Sequence, residues 1–224
     1  MLLLLLTSHS LAMASPTLLS RQVLQSVRIE SLAHNGTGCP VGFGNAAAVN
    51  IATGGTGATV GFDKMTTWAD ASHPAELTCT IRLVIDYPDL PDADVCTDAM
   101  FQASYRGFWF AESGTSASVT TTYTIDGPEG PVEYGPDTWM RPGTEGDFGQ
   151  DLTKTDYLDI GNRVAQGEDG RVVFWIDLVL GVARSATDPE ALAENSIESL
   201  DLSVLDATSS PCPQIVIGGG IVQG

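Results

Sequence analysis

The chain has 224 residues, enough for one large β domain or two small ones, and enough to bury a core without disulfides. With 43% hydrophobic and 17% charged residues, wholesale disorder is excluded. A net charge of −18 repels phosphate backbones and anionic bilayers, so neither nucleic acid nor a membrane surface is an expected partner.

The N-terminus opens on a leucine run, Leu2–Leu6, followed by Leu11-Ala12-Met13-Ala14. Ala12-x-Ala14 fits a signal-peptidase site, so residues 1–14 are expected to be a signal peptide cleaved before Ser15. Residues 15–26 then form a short leader of the mature chain, 27–212 a single β-rich domain, and 213–224 a Gly-rich tail. No other stretch is apolar for the ~18 residues that a membrane span needs. The chain is expected to be secreted and extracellular.

From Val27 apolar and polar residues alternate, which predicts a first strand, and His34–Gly44 reads as a loop. Ala47–Ile51 and Ala58–Met65 are the next strands, joined by the Gly-rich Thr53–Gly57. Thr66–Glu76, with Trp68, is expected to be a loop. Cys79, Ile81, Leu83 and Ile85 share one face of a half-buried strand. Pro88 and Pro91 stop it, because proline cannot continue a ladder. A run through Phe101, Ala103, Tyr105 and Trp109 follows, then Val119–Ile125, with Thr120, Thr122 and Thr124 turned outward.

Gly127–Gly149 holds four prolines and six glycines and is expected to be a long loop carrying Trp139. Tyr157–Ile160 is a short strand. Arg171–Ala183, built on Val172-Val173-Phe174-Trp175-Ile176, is a central strand by its β-branched and aromatic content. Asp188-Pro189-Glu190 offers a cap and a first-turn proline for one short helix through Glu194. Leu200, Leu202 and Val204 mark a last strand. About nine short strands and at most one short helix predict an all-β fold, an antiparallel β-sandwich or jelly roll with long loops.

Cys39, Cys79, Cys96 and Cys212 make an even set, read in a secreted chain as two disulfides. Three pairings are open, and Cys79–Cys96 with Cys39–Cys212 is the expected one. The first would close a short loop worth about 3 kcal/mol, and the second would tie the ends of the domain together. No pair has CxxC spacing, which argues against zinc. Asn35-Gly36-Thr37 is a glycosylation sequon.

At this point the residues resemble a family. Gly36-Thr37-Gly38-Cys39-Pro40, Phe62-Asp63, Cys79 at a strand head, Tyr87-Pro88, Tyr105-Arg106-Gly107 and a terminal Cys212 occur in order. Together they are similar to the secreted fungal and bacterial family catalogued as domain of unknown function 4360. The resemblance implies a secreted, β-rich, cysteine-containing protein and supplies no catalytic residues. Trp139 is followed by Met140-Arg141-Pro142-Gly143 rather than the family's Cys-Gly, so no disulfide pattern is carried over.

No catalytic motif stands out. His34 and His73 lie outside any nucleophile motif, and G-x-S-x-G is absent. Asp86, Asp89, Asp92 and Asp94 cluster in one connection, and Glu145, Asp147 and Asp151 in another. Solvated acidic loops are the plainest account. Calcium is the next, with Asp86, Asp89, Asp92 and Asp94 as ligands, and no other cofactor is implied. Trp68 and Trp139 are candidate sugar-stacking residues. The expected function is a non-catalytic structural or binding protein facing cell-wall polysaccharide or an extracellular protein. A polysaccharide hydrolase with paired carboxylates and a calcium-stabilised module are the alternatives.

Overall fold

The computed structural model describes residues 22–23, 28–40, 49–51, 56–62, 65–69, 75–86, 95–127, 130–145, 149–159, 171–185, 188, 190–211, 215–217 and 220–222. The expected signal peptide and His73, Asp89, Asp92, Asp94, Asp147 and Cys212 lie outside them.

In chain order the strands are β1 (Gln22–Val23), β2 (Arg28–Asn35), β3 (Val49–Ile51), β4 (Gly57–Gly61) and β5 (Thr66–Trp68). There follow β6 (Glu76–Asp86), β7 (Val95–Ala111), β8 (Ser116–Gly127), β9 (Gly130–Pro142) and β10 (Gln150–Asp159). The last are β11 (Arg171–Ala183), β12 (Ala193–Pro211), β13 (Ile215–Ile217) and β14 (Gly220–Val222). Five strands form one antiparallel sheet in the order β2-β6-β11-β8-β9. The other large sheet runs β10-β7-β12-β4-β3, with β1 and β5 also paired to β12. No helix occurs among the described residues, and the fold is an all-β sandwich.

The core follows from period-two alternation. On β11, Val172, Phe174, Ile176, Leu178, Leu180 and Val182 point inward, and the intervening residues outward. This strand lies between β6 and β8, so the sequence placed both its bounds and its central position. Phe101 of β7 stacks on Phe174 at 4.8 Å between ring centroids and joins the two layers.

Several expectations are corrected. Gly130–Pro142, read as loop, is β9, paired to β8 along its length. It is the edge of its sheet, so Pro131, Pro136 and Pro142 need not donate to a second neighbour. Gly135 has φ +108°, and a Cβ there would lie 2.9 Å from the Thr121 carbonyl oxygen, which explains the glycine at this bulge. Thr66–Trp68, also read as loop, is β5, paired to Glu194–Ser196. The expected helix at Asp188 does not form. Its capping contact is present, with the Glu190 amide donating to Asp188 Oδ1 at 3.0 Å. The Glu112 amide then donates to the Leu192 carbonyl, and the chain enters β12 at Ala193. Local capping chemistry has yielded to sheet pairing.

The expected disulfides are corrected too. Cys39 is bonded to Cys79, both buried. Cys79 faces inward on β6, whereas Cys96 is the second residue of β7 in the opposite sheet, so nearness along the chain does not set the pairing. Between Cys39 and Cys79 the chain leaves one sheet, builds β3, β4 and β5 in the other, and returns as β6. The bond fastens both ends of that excursion.

Gly107 marks a close contact between β7 and β12. A Cβ at this position would lie 1.9 Å from the Ser196 carbonyl oxygen, next to the bulge between Ile197 and Ser199. Gly107→Ala must push two central strands apart. The expected loss of unfolding free energy is at the upper end of about 1–3 kcal/mol, read by urea denaturation. An alanine variant as stable as the parent would show that the strands separate freely.

Candidate functional site

The outer face of the larger sheet carries an ordered polar surface. Alternation on β7 turns Gln102, Ser104 and Arg106 away from the core, while Phe101, Ala103 and Tyr105 are buried. The register aligns one row across four strands as Tyr157, Gln102, Ser203 and Gly57. The next row is Thr155, Ser104, Asp201 and Thr59. At the usual strand spacing each row spans about 14 Å.

Hydrogen bonds fix these side chains. Gln102 Nε2 donates to Ser104 Oγ at 3.0 Å, and the Ser104 and Thr155 hydroxyls are 3.1 Å apart. Thr59 donates to Asp201 Oδ1 at 2.7 Å, and Arg106 lies 3.4 Å from Asp201 Oδ2. Gly57 contributes no side chain, and a depression of about 460 Å³ opens there, lined by Thr59, Gln102, Asp201 and Ser203 among others. Tyr157, 60% exposed, stands at the far end of the first row. Neutral amide and hydroxyl groups, one neutralised carboxylate and one exposed ring suit a polyhydroxylated neutral ligand.

A second constellation lies between the sheets, where β10 faces β8 and β9. Lys154 is fully buried. Its Nζ donates to Thr121 Oγ1 at 3.0 Å and to Asp156 Oδ1 at 2.6 Å, and lies 3.1 Å from Asp137 Oδ2. The Tyr105 and Trp139 rings lie 5.5 and 5.4 Å from it. Tyr123 donates to Asp156, and its hydroxyl is 2.7 Å from that of Tyr105. Burial, more than any other cause, pushes both phenols far above their ordinary range, so they remain protonated donors.

The residues singled out from sequence are scattered. Asp86, 6% exposed, accepts from Arg28 Nε at 2.9 Å and Nη2 at 2.7 Å, so it is already engaged in an ion pair. No group of three or more metal-ligating side chains occurs among the described residues. Trp68 is half-buried on β5 in one sheet, while Trp139, 37% exposed, is on β9 in the other. Asn35 is exposed at the end of β2, opposite Thr80. Glu145 and Asp151 are exposed. His34 Nδ1 lies 3.0 Å from the Cys39 carbonyl oxygen, a structural contact.

Neither constellation was found from sequence. Leu152-x-Lys154-x-Asp156-x-Leu158 does alternate at period two, and reading it as a strand would have turned Lys154 and Asp156 inward beside two leucines. The rows on the outer face join residues from four strands and leave no local signal. Trp175, placed by sequence at the heart of the central strand, points outward. Its indole donates to Asp126 at 3.1 Å, and Arg82 lies 5.6 Å from the ring centroid.

No curated protein matches this sequence. Among solved structures, a carbohydrate-binding module described as TmCBM61 in complex with beta-1,4-galactotriose aligns at 12% identity, covering 83% of this chain and 91% of that one, with a TM-score of 0.24. The family 11 carbohydrate-binding module of the cellulosomal cellulase Lic26A-Cel5E of Clostridium thermocellum aligns at 9% identity, covering 88% and 97%, with a TM-score of 0.23. Scores this low carry neither residues nor ligands across. The family model described as Domain of unknown function (DUF4360) matches residues 25–205, most of the chain, and the protein belongs to that family.

Proposed function

We propose that this protein is a secreted, non-catalytic binding protein that holds a neutral extracellular polysaccharide across the outer face of the β10-β7-β12-β4-β3 sheet. The observation that carries the reading is the pair of aligned rows, Tyr157-Gln102-Ser203-Gly57 and Thr155-Ser104-Asp201-Thr59. Hydroxyl and amide groups held by one another cost little entropy to present, and an exposed tyrosine supplies a stacking surface. Asp201 is the one carboxylate among the described residues lining the depression, whereas glycoside hydrolysis ordinarily requires two. Binding to insoluble β-glucan, chitin and cellulose tests this. The protein is expected to be retained by at least one of them, insensitively to salt, since neutral sugars offer no charge to screen. Asp201→Ala and Tyr157→Ala should each weaken retention about tenfold, or ~1.4 kcal/mol. Retention by none of the three, or retention that both variants leave unchanged, would sink the reading.

Secretion is supported by the N-terminal Leu2–Leu6 run, the sequon at exposed Asn35, and a formed disulfide. With Cys39 and Cys79 joined, the remaining cysteines can pair only with each other. The β7–β12 ladder sets Ser210 opposite Cys96, two residues before Cys212. We infer a second bond, Cys96–Cys212. Alkylation of the unreduced secreted protein should label no cysteine, and alkylation after reduction should label four. Labelling of Cys96 without reductant would refute the inference.

A further inference from the structure

Lys154 is the one buried cation among the described residues, and its ammonium meets two carboxyl groups from opposite sheets. We propose that Lys154 and Asp137 condense to an amide that covalently joins the edge strands β10 and β9. The ammonium of Lys154 passes a proton to Asp156, which hands it on to Asp137. The freed amine attacks Asp137 Cγ, forming the N–C bond. A second proton leaves the nitrogen through Asp156 to the departing hydroxyl, the C–O bond breaks, and one water is released. Ammonium and carboxylate have become amide and water, with no other reactant needed.

The two acids are distinguished by their surroundings. Asp156 meets Nζ with both oxygens and accepts from Tyr123 and Thr121, so it is held as the proton carrier. Asp137 meets Nζ with one oxygen at 3.1 Å and is 56% exposed, which leaves its carbonyl carbon approachable and gives the water a way out. Fixed contact between amine and carboxyl corresponds to effective concentrations on the order of 10⁵ M or more. The surrounding Tyr105 and Trp139 rings exclude solvent from the nitrogen. The bond would close the side of the sandwich where the sheets end in β9 and β10.

Peptide mass spectrometry of the reduced, trypsin-digested full chain decides the matter. Trypsin cuts after a free Lys154 and does not cut after an amidated one. The expected result is a peptide that runs through Lys154, includes Asp137, and is lighter than its sequence by one water. In Asp137→Ala, cleavage after Lys154 returns and the mass agrees with the sequence, while circular dichroism shows the folded sheet. Asp156→Asn should slow formation of the linked peptide in freshly refolded protein. Cleavage after Lys154 in the parent with no loss of water would overturn the proposal and leave a plain ion pair. A linked peptide that persists in Asp137→Ala would overturn the choice of Asp137.

Discussion

Replacing Cys39 and Cys79 together by alanine is expected to lower the unfolding free energy by about 4 kcal/mol, read by guanidinium denaturation of the unreduced protein. The bond spans 40 residues of chain, and removing it releases that loop in the unfolded state. Domains of this kind are stable by only about 5–15 kcal/mol, so the loss is a large share of the total. The position within the fold adds to it. The bridged segment carries β3, β4 and β5 into the opposite sheet, and β6 then pairs with β11 near the middle of its own. The turn that reaches Cys39 is also tied to β6 by hydrogen bonds. The Gly38 amide donates to the Thr78 carbonyl at 2.9 Å, and the Thr78 amide to Thr37 Oγ1 at 2.9 Å. A double variant within about 1 kcal/mol of the parent would mean that these bonds alone hold the excursion, and the loop-entropy account would fail.

In an Asp137→Ala background, where Lys154 stays a free ammonium, Lys154→Met should destabilise the sandwich by about 3–5 kcal/mol, because it leaves Asp156 in the interior without its cation. The methionine fills the lysine's volume, so the loss reports charge rather than a cavity. Asp156 keeps its hydrogen bonds from Tyr123 and Thr121, which cannot replace a full positive charge. Adding Asp156→Leu to Lys154→Met removes the stranded carboxylate and should recover much of the loss, since buried ion pairs are often replaceable by apolar residues. Urea denaturation of Asp137→Ala and of both variants built on it measures the effect. Equal destabilisation in the single and double variants would show that packing, not the unpaired charge, is responsible.

The two experiments touch the fold in different places. The disulfide acts where the chain changes sheets near its start, and the lysine acts at the side formed by β9 and β10.

Whatever depends on neighbours two residues apart is written along the chain. The alternation Cys79-Ile81-Leu83-Ile85, the Thr120-Thr122-Thr124 face and the bounds of Arg171–Ala183 were all legible, and with them the fold class. A strand facing a core on one side must repeat every second residue, so that information is local. Edge strands blur it: β9 faces solvent for most of its length, and its prolines and glycines read as loop. Which strands lie side by side is set by long-range packing, and the candidate sites depend on that. Thr59 meets Asp201 across 142 residues, Arg28 meets Asp86 across 58, and Lys154 reaches Thr121 across 33. Cys39 found Cys79 rather than Cys212 for the same reason: a side chain bonds to whatever the sheet places against it, and sequence order does not state that placement.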